Sequence, residues 1–115
     1  MNRLARGDVV RTLFLKGQAG QALVIRADRY IGSENVTLCP VTSTLAGGPL
    51  RVRVMPGQSG LERESEVVPY RIITLPGRRV GAPIGQLSST EMRELNAVLR
   101  DWLNLDERMC MTSTQ

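Results

Sequence analysis

Apolar and polar positions along this chain follow two periods, and most of it carries the shorter one. "DVVRTLFL" (8–15), "QALVIRA" (21–27) and "NVTLCPV" (35–41) are short β-rich runs separated by Gly, Asp and Ser. "LRVRVM" (50–55) alternates, with Leu50, Val52 and Val54 on one face and Arg51 and Arg53 on the other, which predicts a half-exposed strand. "SEVVPYRIITL" (65–75) also reads as a strand, but Pro69 interrupts it and is expected at an edge, a bulge or a bend. "GGP" (47–49), "PGQSG" (56–60) and "PGRR" (76–79) are turn material.

The period changes once. In "SSTEMRELNAVLRDWLNL", Met92, Leu95, Val98, Leu99, Trp102 and Leu103 fall on one helical face, and Ser88 with Glu91 fits a capping box. A helix over 89–103 is expected, packed through Leu95, Leu99 and Trp102. Several short strands, irregular turns and one terminal amphipathic helix predict a small, mainly β barrel. A single domain over 1–105 is expected, with 106–115 a flexible tail lacking any pattern.

Composition narrows the chemistry. The 115 residues contain one Trp, two Tyr and one Phe, so Val, Leu and Ile must form most of the core. The formal charge is +4, and arginine supplies all the basic residues except Lys16. Guanidinium groups suit phosphates and carboxylates, so a nucleic acid or an acidic protein is a reasonable partner, although this charge is also ordinary for a soluble surface. The absence of histidine excludes a histidine triad and histidine acid–base catalysis and argues against a zinc site; no metal or other cofactor is expected. Cys39 lies in an apolar run and Cys110 in the tail, which suggests reduced thiols in a cytoplasmic protein. No apolar run is long enough for a membrane span or a signal peptide, so no membrane association is expected.

"CPVTS" (39–43) places Thr42 and Ser43 at a strand end, where their hydroxyls can meet a phosphate or simply satisfy a turn. Neither has a visible general base. Arg51 and Arg53 share a strand face, and Arg71, Arg78 and Arg79 follow later; they can contact a nucleic-acid backbone or merely cover a solvated surface. The mixed charges of "LERESE" (61–66) favour the second reading there. Arg11 and Lys16 flank the loop in "LKGQAGQALVIRAD" (15–28), whose glycines lack the lysine and following helix of a phosphate cradle.

The order and spacing of "RGDVV", "ALVI", "CPVTS", "GPLRVRV", "GLERESEVV" leading to "RIITL", and "IGQLSSTEMRELNAVLRDWLNL" resemble the MazF/PemK-like toxin family, over residues 6–105. Relatives of that family share their barrel with the gyrase-directed toxin CcdB. The resemblance implies an SH3-like barrel, a homodimer and a cognate antitoxin with an acidic tail. It also implies metal-independent cleavage of single-stranded RNA, leaving 2′,3′-cyclic phosphate and 5′-hydroxyl ends. In the family, an arginine of an "RP" pair before the "ALVI"-like strand is the principal catalytic candidate; here the pair reads Gln21–Ala22. Thr42 retains the partner hydroxyl. The Arg and Asp that some relatives carry after the fifth-strand valines give way to Pro69 and a displaced Arg71. Thr42, Gln21 and Arg71 are therefore the expected catalytic groups, and Lys16, Arg26, Ser43, Arg51 and Arg53 the expected RNA contacts, with Arg26 a second possible replacement for the missing guanidinium. The alternatives are a non-enzymatic toxin that binds gyrase or another protein, and a catalytically degraded homologue.

Overall fold

A computed structural model describes residues 4–14 and 17–105. The strands are β1 (Asp8–Leu13), β2 (Ala19–Val24), β3 (Asn35–Thr42), β4 (Val52–Val54), β5 (Ser65–Val67), β6 (Ile73–Pro76) and β7 (Val80–Gln86), followed by the helix α1 (Ser89–Leu103). Lys16 and the expected tail over 106–115 lie outside the described residues.

The strands form one antiparallel sheet in the order β4-β5-β3-β2-β1-β7, while β6 pairs with the first half of β3. Alternation along the central strands sorts their side chains into two clusters. Val9, Leu23, Cys39, Val41 and Val67 meet Leu95 and Leu99 of α1 on the first face. Val10, Ala22, Val24 and Leu38 form the second, together with Leu75 of β6 and Val80 of β7. Strands placed on opposite sides of the sheet path thus share one cluster, so the sheet must curl around it. Both faces of β2 are buried, which explains why "ALV" reads as an unbroken apolar run. This is the small, mainly β barrel with a terminal helix that the pattern predicts, and it has the SH3-like form that the resemblance implies.

Two strand boundaries differ from expectation. The segment 65–75 divides into β5 and β6 because Pro69 opens a 3-10 turn, Pro69–Arg71, at the first position, where its missing N–H costs nothing. β7 is absent from the periodicity because "VGAPIGQ" holds two glycines and a proline and does not alternate cleanly. Tertiary contact requires those glycines: a Cβ on Gly85 would stand 2.2 Å from the Ser59 carbonyl carbon, and one on Gly60 only 2.0 Å from the Ile84 oxygen. The turn at 56–60 therefore sits directly on β7, and the Gln86 N–H donates to the Gln58 carbonyl at 3.0 Å.

The helix begins as predicted. The Glu91 N–H donates to Ser88 Oγ (3.1 Å), the Ser88 N–H donates to Glu91 Oε1 (2.9 Å), and Glu91 Oε2 also accepts from the Met55 N–H (3.0 Å). One carboxylate thus caps the helix and fixes it to the end of β4. Leu95 is fully buried and Leu99 nearly so, but Trp102 is 49% exposed, which corrects its expected place in the core. The helix outruns the first cluster by its last turn, and Trp102 meets Tyr70 of the 3-10 turn instead. Leu95→Ala should lower unfolding stability by about 2–5 kcal/mol, and Trp102→Ala by no more than about 1 kcal/mol. Urea titration of the two variants measures both, and equal losses would return Trp102 to the core.

Candidate functional site

Thr42 ends β3 half-buried, and its Oγ1 accepts a hydrogen bond from the Thr44 N–H at 3.1 Å. The hydroxyl thus shapes the turn and still has its own proton to donate. Ser43 beside it is exposed. Thr42 pairs across the sheet with Glu66 of β5, and Glu66 pairs in turn with Arg53 of β4. Directly paired residues of antiparallel strands share a face, so these three side chains lie on the face away from α1.

Glu66 organises this end of the sheet. It is 1% exposed and charged. Its Oε1 accepts from the Ala46 N–H (2.9 Å) and from Arg51 (3.0 Å), and its Oε2 from the Gly47 N–H (3.0 Å) and Arg53 (3.4 Å). The Ala46 N–H is the largest influence holding its carboxyl below the usual glutamate range, with Gly47 and Arg51 adding to it against the opposing effect of desolvation. Arg51 also donates to the Tyr70 hydroxyl (3.3 Å), and Arg53 pairs with Glu64. Arg51 and Arg53, two of the three arginines expected to contact RNA, are therefore each engaged by carboxylates, and their charge is locally balanced. Sequence reading passed over Glu66. The available signal was "RVR" (51–53) and "ESE" (64–66) on consecutive strands: the register sets Arg53 directly against Glu66, and Arg51 reaches Glu66, and Arg53 reaches Glu64, diagonally.

The other expected residues do not all gather at Thr42. Gln21 pairs with Arg11 and Val41, so it shares the helix-bearing face with Leu23 and Val41 and points away from the Thr42 face. The β2 residue that the register sets opposite Thr42 is Gly20. The Phe14 ring lies over it so closely that a Cβ there would stand 2.6 Å from a ring carbon. Gly17, in the loop just before, has a φ of +75°, a left-handed conformation that favours glycine. The small residues of this loop thus serve a turn and an aromatic lid. Arg79, half-buried, donates to the Phe14 carbonyl at 3.2 Å, which brings a guanidinium to the same rim. In the sequence it was only one surface arginine among several, and nothing local distinguished it.

Arg71 is exposed on the 3-10 turn, and the Val68 N–H just before that turn donates to the Pro40 carbonyl (2.9 Å). Its turn therefore leaves β3 two residues short of Thr42. Arg26 lies at the far end of the sheet. It donates to the Ala27 carbonyl (3.3 Å) and the Leu4 carbonyl, and it lines an open cavity of about 730 Å³ with Ser33, Asn35 and Arg78. The length of β3, roughly 20 Å, separates that cavity from Thr42. Cys39 is buried and its thiol is pushed up to about 12, chiefly by desolvation, with the Arg6 charge opposing; it is no nucleophile at neutral pH. Among the described residues, no three His, Cys, Asp or Glu side chains gather where they could hold a metal ion. No described helix is long and apolar enough to cross a membrane. At this rim the chain offers a neutral hydroxyl donor on Thr42 and, at the Phe14 carbonyl, the guanidinium of Arg79.

Glu66 gives a pH test. A carboxyl whose folded pKa is depressed stabilises fully above its unfolded value of about 4.3, and that contribution fades as pH falls from there through the folded value. Glu66→Gln should be less stable than the native chain at pH 7, and the gap should narrow below about pH 4.3. Urea midpoints of both proteins across that range check it, and a gap that widens on acidification contradicts the assignment.

With this geometry in place, comparison with known proteins is informative. A family model described as PemK-like, MazF-like toxin of type II toxin–antitoxin system matches residues 5–103. A probable endoribonuclease MazF from Mycolicibacterium smegmatis is 26% identical over 107 residues, covering 89% of this chain and 98% of that protein. The structure of a mycobacterial endoribonuclease in complex with its cognate antitoxin superposes with a TM-score of 0.77 at 25% identity, over 90% of this chain and 97% of that one. Toxin MazF-mt6 from Mycobacterium tuberculosis superposes at 0.74 with 26% identity, over 84% and 97%. MazF from Deinococcus radiodurans, at 23% identity and a TM-score of 0.77 over 90% and 99%, shares the fold. On a match spanning almost all of its described length, the chain belongs to the PemK-like, MazF-like toxins of type II toxin–antitoxin systems.

Proposed function

We propose that this chain is the toxin of a toxin–antitoxin pair and acts as a metal-independent endoribonuclease on single-stranded RNA. The observation that carries the reading is the family match over 5–103, joined by the 26% identical relative described as a probable endoribonuclease. In the reaction, the RNA 2′-oxygen forms a bond to the adjacent phosphorus and the bond from phosphorus to the 5′-oxygen breaks. The 2′-hydroxyl loses its proton and the departing 5′-oxygen gains one. The products are a 2′,3′-cyclic phosphate and a 5′-hydroxyl. The protein supplies no nucleophile; it must stabilise the charge on the phosphorane oxygens. Thr42 donates a neutral hydrogen bond there, and Arg71 or Arg79 supplies the cation. Gln21 faces away from Thr42, so it enters only as a contact to the strand on the helix side. The protein works as a homodimer, held in check by a cognate antitoxin whose acidic segment complements the arginines.

Two structural features favour a second reading, a toxin that binds a protein target without cleavage. Gly20 and the Phe14 ring occupy Thr42's face on β2, and Arg51 and Arg53 are balanced by carboxylates. Incubating purified protein with unstructured RNA in excess EDTA separates the two. Cleavage should persist in EDTA, and Thr42→Ala should slow it about a hundredfold with the fold intact. Arg71→Ala and Arg79→Ala, measured separately, show which guanidinium serves. Loss of cleavage in EDTA, or unchanged rates in all three variants, contradicts the mechanism. An inert native protein that still arrests growth favours the protein target.

A further inference from the structure

The chain has four aromatic side chains, and it leaves its single tryptophan half in solvent. The core does not need Trp102, because Leu95 and Leu99 seal α1 against the sheet. The indole instead stands against Tyr70, with ring centroids 5.8 Å apart and planes at 57°. The Arg51 guanidinium lies 6.0 Å from the Tyr70 ring centroid, and its Nε donates to the Tyr70 hydroxyl at 3.3 Å. Arg51 holds Glu66 at 3.0 Å, and Glu66 is the cross-strand partner of Thr42. This series of contacts runs from the strand pair carrying the candidate hydroxyl, on the face away from α1, around the β4 edge to an exposed aromatic face on the helix side.

We propose that Trp102, backed by Tyr70, stacks a nucleobase of the RNA strand whose phosphate reaches Thr42. This subsite rests on the ribonuclease reading and adds to it a place for a base. Charge balance favours a base over a phosphate here. Arg51 and Arg53 already face Glu66 and Glu64, so the backbone gains little attraction at this edge, whereas a flat apolar ring offers a surface that any nucleobase can use. Tyr70 is locked by Arg51 on one side and the indole on the other, so the platform is ordered before the strand arrives. It reads no hydrogen-bonding edge, and its selectivity among bases is correspondingly loose.

Trp102 is its own reporter, since no other tryptophan contributes fluorescence. The full chain is titrated with an RNA oligomer methylated at every 2′-oxygen, which blocks the attack, and with an abasic sugar–phosphate oligomer of the same length. The RNA should quench the indole saturably and the abasic oligomer should not. Trp102→Ala should weaken RNA binding about tenfold, and Trp102→Phe should restore most of it. In cleavage assays the alanine loss should appear in KM. If native protein binds and cleaves RNA but the indole is silent and Trp102→Ala behaves as native, the subsite is overturned and the ribonuclease reading stands. If native protein neither binds nor cleaves RNA, both fall. Two further outcomes overturn the subsite alone: indole emission that follows protein concentration without RNA, which assigns Trp102 to contact between copies, and quenching by an acidic protein partner only.

Discussion

A charged carboxylate taken out of water must find partners for its oxygens, or the fold around it fails. Glu66 meets that demand with two backbone N–H groups and two guanidinium groups, and in doing so it ties two other pieces of chain to β5. The loop after Thr42 folds over it through Ala46 and Gly47. Arg51 and Arg53 bring in β4, the short strand at the sheet edge. Through Arg51 the influence extends to Tyr70 and the last turn of α1. The rim that carries Thr42 therefore owes its shape less to apolar burial than to one buried ion and its donors. The same interaction makes two prominent arginines structural, which changes where attraction for an anion can arise.

The barrel and helix were largely legible because their signals are local and redundant. Val52 and Val54 against Arg51 and Arg53 give a period of two that nothing but a strand satisfies. The capping pair Ser88 and Glu91 marks a helix start that holds to the residue. What periodicity hid was β7, whose Gly81, Pro83 and Gly85 carry no period; only the resemblance marked a strand before the helix. It is held by its ladder with β1 and by the turn at 56–60 lying against it, and contacts so distant in sequence leave no trace in local pattern.

The site was less legible, and for a geometric reason. Thr42 stands out by sitting at the end of an apolar run, so it needed no tertiary information. Gln21 was expected beside it because the family's arginine falls at that position in the resemblance. Whether they cooperate depends on pairing register, and a single residue step exchanges the faces of a sheet. Register places Gly20, not Gln21, on Thr42's side. Arg79 reaches the rim only through the Phe14 carbonyl, from another turn altogether. Trp102 misled in the opposite sense: its helical position predicted burial, yet the sheet beneath ends one turn too soon.

The close contact between Phe14 and Gly20 also constrains how such a chain can change over generations. Two solutions compete for the same volume: an aromatic ring projecting from residue 14, or a side chain of any size on residue 20. With the ring where it stands they cannot coexist, so a side chain at position 20 requires the Phe14 ring to swing aside or to be replaced by something smaller. The two positions are therefore coupled. The ring thus ties residue 20 to residue 14, and a cation at this rim comes more readily from another loop, as Arg79 does at the Phe14 carbonyl.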